Sequence, residues 1–114
     1  MNKLQFILIL LLISCSGSKD FDELPSPIGG DNRIRFVFHQ SLGSEYYKVE
    51  GSRVSFSIRI SKDGAIEEVG MTRRTNNERI NRTIVFALKE HIRFTPATKD
   101  SKRVETQFEY EFTF

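Results

Sequence analysis

Every second residue across positions 104–114 (Val104, Thr106, Phe108, Tyr110, Phe112 and Phe114) is apolar or threonine, and Glu105, Gln107, Glu109, Glu111 and Thr113 fill the places between. Successive side chains of a strand project to opposite faces, so this spacing makes a long strand with one face in a core and the other in water. Such a strand has to find neighbours. The next clearest alternation supplies one: Val54, Phe56, Ile58 and Ile60 interleave with Arg53, Ser55, Ser57, Arg59 and Ser61. That run stops at Lys62-Asp63-Gly64, where the Asp-Gly pair supplies the positive φ of a tight hairpin turn. The return strand is expected over residues 65–72, carrying Ile66, Val69 and Met71, and the parity break across Glu67-Glu68 predicts a bulge.

Between hairpin and last strand the period changes. Thr75-Asn76-Asn77-Glu78 has the form of a capping box, with Thr75 accepting from the Glu78 N–H and the Glu78 side chain answering. Ile80, Ile84, Val85, Leu88 and Ile92 then recur at helical spacing, with Arg79, Arg82, Lys89 and Glu90 turned away. Burying each of those five side chains contributes roughly 1.5 to 3 kcal/mol, so this face belongs on a sheet. Pro96 forces Thr95 out of α geometry and ends the helix near Ile92 or Arg93. A polar turn follows over residues 98–102. The core therefore reads strand, hairpin, strand, helix, strand. A helix returning along the sheet sets the last strand beside the first, in the order second, first, last. Ile34, Phe36 and Phe38 alternate with Arg33, Arg35 and Val37, which predicts one further strand that completes a small core. Residues 39–51 have no clean period and read as a connection. The expected class is α+β: a small antiparallel sheet of three strands plus an N-terminal one, with one packed helix.

The N-terminus is of another kind. Met1-Asn2-Lys3 precedes a mostly apolar run over residues 4–13, which has the layout of a secretory signal and is too short to span a bilayer. Leu12-Ile13-Ser14-Cys15 resembles the bacterial lipobox. That resemblance implies cleavage between Ser14 and Cys15, a lipid thioether on Cys15 and an acylated new N-terminus. Several acyl chains on one residue anchor firmly, at roughly 0.8 kcal/mol per buried methylene. Ser16 after the cysteine resembles outer-membrane sorting, facing the periplasm. The expected division is a signal peptide over residues 1–14, a lipidated N-terminus and flexible tether over residues 15–32, and a folded domain over residues 33–114. Ser, Gly, Pro and Asp dominate the tether, whose reach fully extended is roughly 60 Å.

Cys15 is the single cysteine, so no disulfide or cysteine-based metal site is available. Seventeen basic residues stand against 15 acidic, and loss of residues 1–14 removes only Lys3 from that count, leaving 16 against 15. Such a balance gives no reason to expect a nucleic-acid partner. The cluster Arg73-Arg74, Arg79 and Arg82 reads as a solvated helix start. His39 and His91 are the two histidines, and neither sits in a spacing that suggests a nucleophile, base or metal ligand. The expectation is a non-catalytic domain without metal or cofactor.

The stretch from Glu50-Gly51 through Val54-Ser55-Phe56-Ser57-Ile58, Asp63-Gly64-Ala65-Ile66 and Val69, on to Ala87-Leu88, Ile92-Arg93-Phe94-Thr95-Pro96-Ala97 and the Phe-ended last strand, resembles the C-terminal domain of TonB energy-transducing proteins. An Asp-Gly hairpin at this interval from a helix ending in Arg-Phe-Thr-Pro-Ala carries most of the likeness. Ile92 stands where the family has a tryptophan, and Arg73-Arg74 where it has a small Gly or Ser pair. The resemblance implies a binding module that takes a short extended peptide onto a sheet edge. The edge expected here is the last strand, with Val104, Thr106, Phe108, Tyr110 and Phe112 as partner-binding residues, unless residues 34–38 already cover it. The transducers resembled also carry a spanning helix and a Pro-rich rod, neither of which this sequence shows. The expected role is thus a lipid-anchored envelope interaction domain linked to TonB-dependent transport, with outer-membrane receptors or another envelope protein as partner. The alternative is a structural or adaptor lipoprotein of the envelope that keeps the fold without binding transporters.

Overall fold

The computed structural model describes residues 21–114. The signal peptide expected over residues 1–14 and the lipid on Cys15 lie outside the described residues. Helix α1 (Gly30–Leu42) runs into a 3-10 helix (Gly43–Lys48), followed by β1 (Arg53–Ile60), β2 (Ile66–Arg73), α2 (Glu78–His91), β3 (Ala97–Lys99), β4 (Lys102–Val104) and β5 (Thr106–Thr113).

The main sheet has the order β2-β1-β5, as the hairpin and the returning helix predict, and both pairings are antiparallel. β1 and β5 pair without a slip from Arg53 opposite Thr113 to Ile60 opposite Thr106. Between β1 and β2 the register slips twice. One slip sets Glu68 against Arg59 but Ile66 against Ile60, so Glu67 is the extra residue of the expected bulge. Val54, Phe56, Ile58 and Ile60 are completely buried under the two helices. The opposite face of the sheet carries the intervening polar side chains.

The segment around residues 34–38 is not the strand that its alternation predicts. It lies in α1, with Ile34, Val37, Phe38 and Leu42 buried and Phe36 exposed. Those four follow the i, i+3, i+4, i+8 spacing of one helix face, and that face has a partner: the Phe38 ring lies 5.2 Å from Phe112 and 5.6 Å from Phe114. The short alternation within it is a fragment of the longer helical period. The sheet consequently has three strands and two helices above it.

The residues read as tether are also held by backbone, from Asp22 onward. Asp22 N–H donates to Thr98 O, Thr95 N–H to Ser26 O and Ile28 N–H to Arg93 O, each at 2.8 Å. The Asp22 carboxylate accepts from the Ser101 N–H at 2.8 Å. Asp100 and Ser101 both have positive φ, the geometry of a two-residue hairpin turn between β3 and β4, and Asp22 supports it.

Helix α2 begins two residues later than the capping box predicts. Asn77 is the N-cap, its side chain accepting from Ile80 N–H at 3.1 Å. The Thr75 hydroxyl instead accepts from the Asn77 N–H and bonds Asn81 Oδ1, while Asn81, 2% exposed, returns its amide to Thr75 O. This closed network fixes the entry to α2. At the other end Ile92 is already extended, four residues ahead of Pro96, whose ring restrains Thr95.

Candidate functional site

β5 has β1 on one side and, among the described residues, no strand on the other. The phase of its ladder follows from one bond: Phe114 N–H donates to Ser52 O at 2.9 Å. Antiparallel bonds join directly opposed residues and recur at every second position. Thr106, Phe108, Tyr110 and Phe112 therefore direct their backbone groups at β1. Gln107, Glu109 and Glu111 direct theirs away from the sheet. The outward carbonyl of Thr113 is occupied, accepting from the Arg35 guanidinium at 2.9 Å. α1 thus closes the Phe114 end of the edge and leaves its middle open.

The residues expected at a docking edge fall into two groups. Thr106, Phe108, Tyr110 and Phe112 share β5 and turn their side chains to the helix layer. Phe112 is buried, and Phe108 and Tyr110 are half-buried against Phe94, at ring separations of 5.3 and 5.7 Å. The Tyr110 hydroxyl donates to Asp31 of α1. Thr106 is buried with a hydroxyl that has no hydrogen-bond partner among the described residues. Val104 lies apart, in the small hairpin, opposite Ala97. The vacant groups belong to Gln107, Glu109 and Glu111. Alternation alone reports side-chain faces; which residues point N–H and C=O outward depends on register against β1.

Side chains of the outward-directed residues lie on the open face of the sheet. Gln107 donates to Ser57 Oγ at 3.1 Å, Glu109 accepts from the Thr72 hydroxyl at 2.6 Å, and Glu111 lies 3.7 Å from Arg53. Near the start of β5, Arg59 meets Glu67 and Glu105 at 3.2 Å and Glu68 at 3.5 Å. Loss of surrounding water opposes the Arg59 charge, and the three carboxylates outweigh it, holding its proton more firmly than usual. A protonated Glu67 can donate to Glu105, which raises the proton affinity of Glu67 and lowers that of Glu105. At the opposite edge, the hydrogen bond from Arg74, then that from Asn81, holds the Glu78 carboxyl below its ordinary range.

His39 stacks on Tyr46 with ring centres 3.6 Å apart, and His91 is the exposed last residue of α2. Among the described residues no group of three His, Cys, Asp or Glu side chains is arranged to hold a metal ion, and no helix is long and apolar enough to cross a membrane. What the β5 edge can do chemically is pair backbone with backbone.

No curated protein and no solved structure matches the chain. A family model described as TonB C terminal does, over residues 31–114, which takes in α1 as well as the sheet and α2. The hairpin, the helix ending ahead of Arg93-Phe94-Thr95-Pro96, the strand order and this match agree: the chain belongs to the TonB C-terminal family.

Proposed function

We propose that this protein is a lipid-anchored interaction domain of the cell envelope that binds an extended segment of a partner by strand addition to β5. The coarser part follows from the family, whose domains are associated with the envelope and act by binding protein. The finer part rests on one observation: the outward N–H and C=O groups of Gln107, Glu109 and Glu111 have no strand beside them among the described residues. An edge of this kind adds another strand at little conformational cost, because its own backbone is already ordered. Half-buried Phe108 and Tyr110 give the added strand an apolar margin on the helix side. Anchorage through Cys15 and a partner among outer-membrane receptors complete the reading, on the strength of the lipobox-like sequence and the family.

Amide exchange on the full chain in detergent tests it. Gln107, Glu109 and Glu111 are expected to exchange fast while Phe108 and Tyr110 are protected, and a bound receptor segment is expected to slow the fast three. Uniform protection of residues 106–113 in the monomer would leave no place for the partner.

A further inference from the structure

The sheet has a second edge. β2 pairs with β1 through Glu68 and Gly70, which stand opposite Arg59 and Ser57, so Val69 and Met71 direct their backbone groups outward. α2 runs alongside this edge, and the two flank an open groove of about 440 Å³. Its floor is Val69 and Met71 from β2 with Val85 from α2, and Phe86, 65% exposed, forms its outer wall. Most large apolar side chains of this domain are buried, so a phenylalanine left open beside unpaired backbone is a surface suited to being covered.

The rim is net positive, with Arg74, Arg82 and Lys89 against Glu78. Arg82 and Lys89 flank Phe86 on α2 and form no ion pair among the described residues, while Arg74 at the near end is matched by Glu78. A second copy of the chain pairing β2 to β2 would bring Arg82 and Lys89 against their own counterparts, so charge opposes that occupant. A carboxylate-bearing segment answers it. Arg82 and Lys89 are seven residues apart, about 10 Å along the helix axis. An extended strand covers about 13 Å in four residues, within reach of two long flexible cations. We propose that the β2–α2 groove binds an extended segment of a partner protein that pairs with Val69 and Met71 and presents an apolar side chain over Phe86, flanked two residues to either side by carboxylates. This site is separate from the β5 edge and does not depend on it.

The probe is a labelled seven-residue peptide with glutamate, leucine and glutamate at its second, fourth and sixth positions and threonine elsewhere, titrated into the full chain in detergent. Saturable binding is expected, with slowed exchange at the Val69 and Met71 amides. The double charge reversal Arg82→Glu with Lys89→Glu changes exposed side chains only, and is expected to weaken binding about tenfold or more. Phe86→Ala is expected to weaken it as well, and a lysine-for-glutamate peptide is expected not to bind. Absence of binding at millimolar peptide would overturn the proposal, as would binding indifferent to the charge reversal. Protection appearing at Gln107, Glu109 and Glu111 instead would move the peptide to β5 and sink the groove. Self-association that protects Val69 and Met71 without peptide would assign the groove to a second copy and sink it too.

Discussion

Gly64 and Phe94 are locked together across the hairpin: Phe94 N–H donates to Gly64 O at 3.0 Å, and a Cβ on Gly64 would collide with the Phe94 carbonyl. Gly64 also has φ of +89°, which side chains rarely tolerate. Arg93 adds a bond to Asp63 O at 3.1 Å. The Asp-Gly turn and the Arg-Phe-Thr-Pro-Ala segment are thus two halves of one contact. Gly64→Ala is expected to cost about 2 kcal/mol or more, from the left-handed backbone plus the collision, measured by thermal or urea unfolding.

The identity of α1 predicts unequal effects for two nearby phenylalanines. Phe38 is buried against Phe112 and Phe114, while Phe36 is 54% exposed. Phe38→Ala is expected to cost about 3 to 5 kcal/mol, a large part of a small domain's stability. Phe36→Ala is expected to stay within about 0.5 kcal/mol in the same unfolding experiment. Equal costs would contradict the helix.

The solitary hydroxyl of Thr106 predicts a gain. Its oxygen is buried without a hydrogen-bond partner among the described residues, and valine has nearly its shape. Thr106→Val is expected to be neutral or to stabilise by up to about 1 kcal/mol, because an unsatisfied group is replaced by an apolar one. Urea midpoints at constant slope measure it.

Glu78 gives the acid side a sign. Arg74 holds its folded proton affinity below the unfolded one. Such a carboxyl adds stability above the ordinary glutamate range, about 4.3, and loses it as pH falls through the lower folded value. The melting temperature of the native chain is therefore expected to exceed that of Glu78→Gln at pH 7. The gap is expected to close as the solution is acidified below about pH 4. A gap that widens on acidification would reverse the assignment.

Strands with long alternation were legible in residue order, because burial on one face of β1 or β5 leaves a period of two over eight residues or more. The position of β5 beside β1 followed from the helix between them. α1 was not legible, since Ile34, Phe36 and Phe38 satisfy a strand over five residues and the helical set Ile34, Val37, Phe38 and Leu42 shows only over a longer window. The capping box at Thr75 does not form because the buried Asn81 amide engages Thr75 ahead of the helix, and Asn77, two residues on, takes the cap. At the edge itself, side-chain parity named Thr106, Phe108, Tyr110 and Phe112, whereas the vacant backbone groups alternate with them. Only the pairing partner separates the two sets.

Phe38 is reached early in synthesis and Phe112 and Phe114 late, yet the three rings form one cluster with Tyr46. α1 also packs along α2, so its apolar side is shared between that helix and the two rings at the end of β5. Removal of residues 112–114 would take Phe112 and Phe114 out of the cluster together and open the interior at its centre.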